Sequence, residues 1–204
     1  MRWIIVGLGN PGETYANTRH NVGKMVLAAI FDAYATEGWK ERSSWKAIAA
    51  KASIGGVDAL LVAPLVYMNE SGKSLLPLVK SKAQAARTVV IHDDIDLPIG
   101  SWRFAFERGS GGNKGVESVM TCLKTKAFVR IRVGVLPVGG DGIPKKPRGK
   151  ERVVRFVLGE FSEKERAVVR HAAKEIISAL PVLLTQGREK AMNQFHGTPS
   201  RRFS

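Results

Sequence analysis

The sequence predicts an α/β protein: a single-domain, three-layer α/β/α sandwich built around a mixed, mostly parallel, twisted sheet. Short apolar runs rich in β-branched residues alternate along the chain with segments of helical periodicity, as in sheets covered by helices on both faces. The chain has 204 residues, of which 44% are hydrophobic and 25% charged. This size and composition are ordinary for one compact α/β domain.

The apolar runs predict six strands, at residues 3–6, 48–54, 59–62, 88–92, 101–106 and 128–135. Gly55 and Gly56 separate the second run from the third by a two-residue turn, so these two strands should form an antiparallel hairpin.

Helical periodicity predicts five helices, at residues 22–34, 71–80, 112–123, 162–184 and 188–195. Ser162 and Glu165 have the spacing of a capping box and mark the start of the fourth helix. Without an internal repeat or a linker, residues 1–197 are expected to form one domain and residues 198–204 a flexible tail.

The charge balance indicates a polyanionic partner. The formal net charge is +14, and a surplus of this size attracts nucleic acid. It is concentrated in "GIPKKPRGKERVVRF", where Lys145, Lys146 and Arg148 lie among prolines and glycines. We therefore predict a basic loop over residues 139–155 that leads into a short helix.

Several classes of protein and site are disfavoured by composition. No apolar stretch approaches the roughly 20 residues needed to span a bilayer, so a cytoplasmic protein is expected. Cys122 is the single cysteine, which excludes an intrachain disulfide and a cluster of thiolate metal ligands. Neither a metal nor a cofactor is predicted.

The stretch "GLGNPG" matches the G-x-G-x-x-G pattern of dinucleotide-binding loops but lacks their context. Those loops lead directly into a helix whose N-terminus holds a pyrophosphate. Here "ETYANTRHNVG" follows, which is too polar and turn-rich to begin an amphipathic helix. Pro11 also removes a backbone N–H donor. A nicotinamide oxidoreductase is therefore disfavoured.

Polar side chains follow three predicted strands. Asn10 and His20 come after the first strand, Asn69 after the third, and Asp93 after the fourth. Ligands collect at the carboxyl ends of strands in such sheets, and an aspartate can orient a histidine for catalysis. Each residue also has a simpler interpretation: Asn10 and Asp93 as turn caps, Asn69 as a helix N-cap and His20 as a solvated histidine.

Several long motifs resemble those of the bacterial-type peptidyl-tRNA hydrolase family. They are, in order, "IVGLGNPGETYANTRHNVG", "VYMNESGKSL", "HDDIDLPIGSWRF", "GSGGNKGVES", "RIRVGV", "VVRFVLGEF" and "KAMNQFHG". The resemblance covers nearly the whole chain. It implies a monomeric enzyme that cleaves the ester between a peptide and the 3′-terminal ribose of tRNA, recycling tRNA from aborted translation.

The resemblance also implies roles for individual residues. His20 would be the catalytic base and Asp93 the carboxylate that orients it, while Asn10 and Asn69 would place the peptide and polarise the carbonyl. Substrate and tRNA binding would involve Tyr15, Met68, Asn69, Asn113, Lys114, Lys145, Lys146 and Arg148.

The sequence departs from the family pattern in "GGNKG". Family members usually have histidine followed by asparagine at the positions of Asn113 and Lys114. A lysine donates hydrogen bonds but cannot accept them, whereas an amide does both. A non-catalytic RNA-binding protein on the same fold therefore stays open as the alternative, although His20 and Asp93 favour the enzyme.

Overall fold

The computed structural model describes residues 2–138 and 146–195. Lys145, the whole of the predicted loop before residue 146 and the predicted tail at 198–204 lie outside the described residues. The described chain forms one mixed sheet of seven strands, with helices on both faces, as the sequence predicts.

The seven strands are β1 (Trp3–Gly7), β2 (Lys40–Arg42), β3 (Ala47–Ile54), β4 (Val57–Pro64), β5 (Thr88–Pro98), β6 (Trp102–Phe106) and β7 (Val129–Leu136). Their order in the sheet is β2-β3-β4-β1-β5-β7-β6. The four central strands are mutually parallel, and the antiparallel pairs lie at the two sides. Gly55 and Gly56 have φ of 59° and 77° in the predicted hairpin between β3 and β4.

The helices are α1 (Val22–Tyr34), α2 (Lys82–Ala86), α3 (Lys114–Leu123), α4 (Lys150–Val157), α5 (Glu163–Gln186) and α6 (Arg188–Phe195). On one face of the sheet, the larger core joins the strands to α1, α5 and α6. On the other face, a smaller core includes Met68, Leu75, Ala85 and Val116. The sheet therefore lies between two helical layers, and this is the predicted three-layer arrangement.

The predicted helix at 71–80 is wrong. The chain forms a 3₁₀ helix over Met68–Ser74, and turns follow it. Pro77 lies inside the predicted segment, and its ring removes a backbone N–H and clashes with the preceding turn of an α-helix. The Gly72 N–H also donates to Ser118 Oγ of α3 at 3.0 Å, which ties the 3₁₀ helix to its neighbour.

Two short elements were not predicted from the sequence. Strand β2 is a charged, exposed edge strand with no apolar alternation, and helix α2 has only five residues. Strand β5 is longer than predicted because its acidic segment continues to pair with β7 through Asp94. The polar residues of this segment are therefore held by the sheet itself.

The glycines of "GLGN" allow α1 to pack closely on β1. A Cβ atom on Gly7 would lie 2.5 Å from the Gly23 carbonyl oxygen, and one on Gly23 would lie 2.3 Å from the Ile91 carbonyl oxygen. Two 3₁₀ turns separate Gly12 from α1, so the glycine loop does not lead directly into a helix. These glycines thus allow the backbones of β1 and α1 to pack closely at the carboxyl end of β1.

Candidate active site

Two neighbouring parallel strands, β4 and β1, end beside the later part of β5, which extends beyond them. Strands β4, β1 and β5 are adjacent, so the loops that follow β4 and β1 meet there beside the later part of β5. These segments carry Asn69, Asn10 and Asp93, and His20 enters between them from a 3₁₀ turn at Arg19–Asn21. The structure therefore brings together the four predicted catalytic residues at the carboxyl edge, where ligands bind in α/β sheets.

Asn10 links the first loop to the third. Its Oδ1 accepts a hydrogen bond from the Met68 backbone N–H at 2.8 Å, which leaves Nδ2 as the donor end of the amide. Its own backbone N–H donates to Asn21 Oδ1 at 2.8 Å, and Asn21 Nδ2 donates back to the Asn10 carbonyl at 3.0 Å. The side chain is thus fixed by a residue 58 positions away rather than capping its own turn.

Lys24 is a further polar residue at this loop that the sequence did not single out. Its Nζ donates to the Asn10 carbonyl at 3.1 Å. Burial lowers the pKa of Lys24 to about 8. The Asn10 carbonyl therefore accepts from both Asn21 and a partly buried lysine.

Met68 and Asn69 begin the 3₁₀ helix in different environments. Met68 is buried in the smaller core, whereas Asn69 is exposed. The N-cap of this helix is Tyr67, so Asn69 is not the cap. Tyr67 is exposed and meets Tyr15 edge to face, with ring centroids 6.5 Å apart. This aromatic pair borders the site beside Asn69.

His20 and Asp93 form the central pair of the site. His20 Nδ1 lies 2.9 Å from Asp93 Oδ1, and the two side chains are 14% and 4% exposed. The oxygen lies off the N–H axis, so the contact is not a linear hydrogen bond, and it becomes an ion pair only when the imidazole is protonated. Such alignment is common before substrate binds.

The pKa of His20 is raised above its ordinary value of 6.5. Burial is the largest single influence and opposes protonation, but the charge and close contact of Asp93 together outweigh it. A raised pKa in the folded state stabilises the fold below pH 6.5, and this contribution is lost as the pH rises through the folded pKa.

His92 and Asp94, on either side of Asp93, are part of the sheet. His92 is buried and its Nδ1 lies 2.8 Å from the Asp93 carbonyl oxygen, so the ring donates there. Burial is the main cause that lowers the pKa of His92 to about 4, so it is neutral near pH 7. Asp94 Oδ2 accepts from Arg132 Nε on β7 at 2.5 Å. These contacts fix the backbone on both sides of Asp93.

Arg19 anchors the turn that carries His20, a role that the sequence did not reveal. Its guanidinium donates to Glu165 Oε1 and Oε2 at 3.0 and 3.1 Å and to the Glu160 carbonyl at 2.8 Å. It also lies 4.8 Å from the ring centre of Phe156 and 5.4 Å from that of Phe161. Glu165 belongs to the capping box of α5, so the turn that carries His20 is held by a helix terminus distant in sequence.

Asn113 and Lys114, where the sequence departs from the family pattern, occupy different environments. Asn113 is the N-cap of α3, and its Nδ2 donates to Asp93 Oδ1 at 2.7 Å. The resemblance implies substrate binding for Asn113, whereas the structure places its side chain on Asp93. Lys114 is 65% exposed, and its Nζ lies 2.7 Å from Glu117 Oε2. An exposed ion pair of this kind is weak and leaves the lysine available to a phosphate.

The described part of the basic stretch lies beside the turn that carries His20. Lys146 is exposed and pairs with Asp96, and Arg148 is exposed. The predicted short helix is α4, which packs against the Arg19–Asn21 turn. It carries exposed Lys150, Arg152 and Arg155.

The described residues contain neither a metal-binding cluster nor a membrane-spanning helix. Across residues 2–138 and 146–195, no three His, Cys, Asp or Glu side chains are grouped to hold a metal ion. None of the helices in these ranges is both long and apolar enough to cross a bilayer.

The fold and site define an α/β protein with a carboxylate–histidine pair at the carboxyl edge of its sheet, the arrangement of hydrolases in which histidine is the general base. The family model for peptidyl-tRNA hydrolase matches residues 4–202. The chain belongs to the peptidyl-tRNA hydrolase family.

Relatives and solved structures agree with this membership. The chain is 37% identical over 194 residues to the peptidyl-tRNA hydrolase of Syntrophotalea carbinolica, covering 95% of this chain and 96% of the relative. It is 38% identical to that of Aquifex aeolicus, covering 93% of each chain. The crystal structure of peptidyl-tRNA hydrolase from Acinetobacter baumannii is similar with a TM-score of 0.83 and 33% identity, over 96% of this chain and 95% of that one.

Replacing Asp93 by asparagine should lower the pKa of His20 below 6.5. The substitution removes the negative charge, while the burial that opposes protonation remains. An NMR titration of the imidazole C–H signals measures this pKa. Asp96→Asn is the matched control, since Asp96 pairs with Lys146 rather than His20. A His20 pKa that stays above 6.5 in Asp93→Asn would contradict this account of the pair.

Proposed function

We propose that this chain hydrolyses the ester between a peptide and the 3′-terminal ribose of tRNA, which recycles tRNA from aborted translation. The observation that carries the proposal is the His20–Asp93 pair beside an Asn10 side chain that is fixed by the Met68 backbone. Family membership supports the same reaction.

In this proposal, neutral His20 is the general base. Asp93 holds Nδ1, so Nε2 takes a proton from a water molecule whose oxygen attacks the ester carbonyl. The tetrahedral intermediate then expels the ribose oxygen, which receives the proton from the imidazolium. The tRNA leaves with a free 3′-terminal hydroxyl, and the peptide leaves as a carboxylic acid that releases its proton to solvent and becomes a carboxylate. A positioned general base supplies roughly 10²–10⁴ in rate.

The amide side chains at the edge of the sheet would position the substrate. Because Asn10 Oδ1 accepts from Met68, its Nδ2 is oriented to donate to the peptide or to the developing oxyanion. The exposed Asn69 would bind the peptide or the terminal ribose. The Met68 backbone holds the Asn10 amide, and Tyr15 would contact the terminal nucleotide beside Tyr67.

The tRNA backbone would lie along the basic side of the site. We propose that the basic stretch, including Lys145, Lys146 and Arg148, contacts phosphates together with the exposed cations of α4. Lys114 would exchange its exposed partner Glu117 for a phosphate near the 3′ end. The net charge of +14 supports attraction to such a polyanion.

We also propose that the enzyme acts in the cytoplasm as a monomer, without a cofactor or an obligatory protein partner. Residues 1–197 would be the functional domain, and residues 198–204 a tail outside it.

Replacing His20 by alanine should reduce ester cleavage roughly 10²–10⁴-fold and leave tRNA affinity within about threefold, because the base is lost while the phosphate contacts remain. Release of peptide from a purified N-blocked aminoacyl-tRNA measures cleavage, and filter binding measures affinity. His171→Ala, on the exposed side of α5, is the control.

Cleavage by His20→Ala within tenfold of the unchanged chain would refute the base assignment. An unchanged chain that binds tRNA but leaves the ester intact would support the alternative of a non-catalytic RNA-binding protein.

Neutralising Lys150, Arg152 and Arg155 to glutamine should weaken tRNA binding and flatten its salt dependence. Each lost phosphate contact lowers the slope of log affinity against log salt by about 0.7–0.9. The maximal rate should stay unchanged, since these contacts bind ground and transition states alike. Glutamine at Lys51, Lys82 and Lys190, which are exposed elsewhere, is the matched control. Equal slopes in both triple variants would exclude α4 from the tRNA interface.

A further inference from the structure

We propose that Asn113 is a positioning residue that holds the Asp93 carboxylate against His20 and ties this pair to the first turn of α3. This inference rests on the proposed function, because it assigns Asp93 and His20 to the reaction. It gives a role to one of the two positions at which the chain departs from its family's usual sequence.

The hydrogen bonds of Asn113 fix the orientation of its amide. Oδ1 accepts from the backbone N–H groups of Gly115 and Val116, both at 3.1 Å. Two N–H donors can be met only by an oxygen, so the other end of the amide is Nδ2. Nδ2 donates to Asp93 Oδ1 at 2.7 Å and approaches the Asp93 carbonyl oxygen at 3.3 Å. Both ends of the amide are therefore engaged within the protein.

The same carboxylate oxygen meets both Asn113 and His20. Asp93 Oδ1 lies 2.9 Å from His20 Nδ1 and 2.7 Å from Asn113 Nδ2. The off-axis contact with His20 alone would let the carboxylate rotate, whereas a second donor on the same oxygen restricts it. Because Asp93 is only 4% exposed, water replaces this donor poorly. Asn113 therefore determines where Asp93 presents its charge to the imidazole.

The other charged groups around the His20–Asp93 pair either have partners of their own or are exposed. Among elements packed on the turn that carries His20, β5 contributes Asp93, which acts on His20, and His92, which is neutral near pH 7. Asp94 pairs with Arg132, and Arg19 pairs with Glu165. The remaining cations are Lys24 of α1, which donates to Asn10, and the exposed Lys150, Arg152 and Arg155 of α4.

Three substitutions separate positioning from helix capping. Asn113→Ser keeps an N-cap oxygen but loses the donor that reaches Asp93. We expect kcat to fall roughly 10–100-fold, KM to change less than threefold and the melting temperature to stay close to that of the unchanged chain. Asn113→His offers an imidazole N–H to Asp93. The kcat of this variant should therefore lie within about threefold of the value for the unchanged chain.

Asn113→Asp keeps the cap oxygen and places a second carboxylate beside Asp93. The pKa of His20, measured by NMR, should rise by more than one unit. The acidic limb of the pH–rate profile should move to higher pH by the same amount, and the plateau rate above it should stay below that of the unchanged chain, because an ionised carboxylate donates no hydrogen bond to Asp93. Ser110→Ala on the same loop is the control, because Ser110 contacts Glu117 and Gly112 rather than Asp93.

A wild-type kcat in Asn113→Ser, or an unchanged His20 pKa in Asn113→Asp, would overturn the role of Asn113. Loss of all cleavage in the unchanged chain would instead overturn the proposed function. The two failures are distinguishable because the pKa of His20 is measured without turnover.

Discussion

The site depends on one electrostatic constraint: the negative charge of Asp93 is held near the carboxyl ends of the central strands with almost no access to water. Asp93 is 4% exposed, and a carboxylate so buried needs charged or hydrogen-bonding partners. His20 and Asn113 meet one of its oxygens, and Arg132 neutralises the neighbouring Asp94. The charge in turn raises the pKa of His20 despite its burial. A histidine so placed is a stronger base, and its orientation is fixed by the fold.

The parallel centre of the sheet makes this constraint possible. Because β4, β1 and β5 run side by side in one direction, loops distant in sequence converge on Asp93. The close approach of Gly7 and Gly23 lets α1 begin immediately after the turn that carries His20. Arg19 then fastens that turn to Glu165 on α5, and α4 packs on the same turn. Helix α4, which is proposed to bind tRNA, and His20, which is proposed to activate water, are thus both anchored at the Arg19–Asn21 turn.

The sequence predicted the features that depend on local pattern. Apolar runs located the strands of the core, the glycine pair located the hairpin, and Ser162 with Glu165 located the start of α5. Two prolines show that local sequence pattern was not sufficient to predict where a helix forms. Pro77 accompanies a 3₁₀ segment, whereas Pro181 lies inside α5, where buried Leu180 and Leu184 hold the helix against the sheet. Tertiary packing distinguishes these two cases.

Long-range contacts account for the parts of the site that were not foreseen. Motif resemblance predicts catalytic roles for His20, Asp93, Asn10 and Asn69 and a substrate role for Asn113. It does not indicate the contact between Asn113 and Asp93, because position in a loop does not reveal which partner a side chain meets. The Arg19–Glu165 contact joins residues 146 positions apart, and no sequence spacing indicates it.

The most direct test of the account compares two quantities on the unchanged chain: the pH dependence of single-turnover cleavage and the pKa of His20 from NMR. The account predicts that cleavage rises with pH through one ionisation above pH 6.5, and that this midpoint coincides with the titration of His20. A cleavage rate that stays constant while His20 titrates would contradict it.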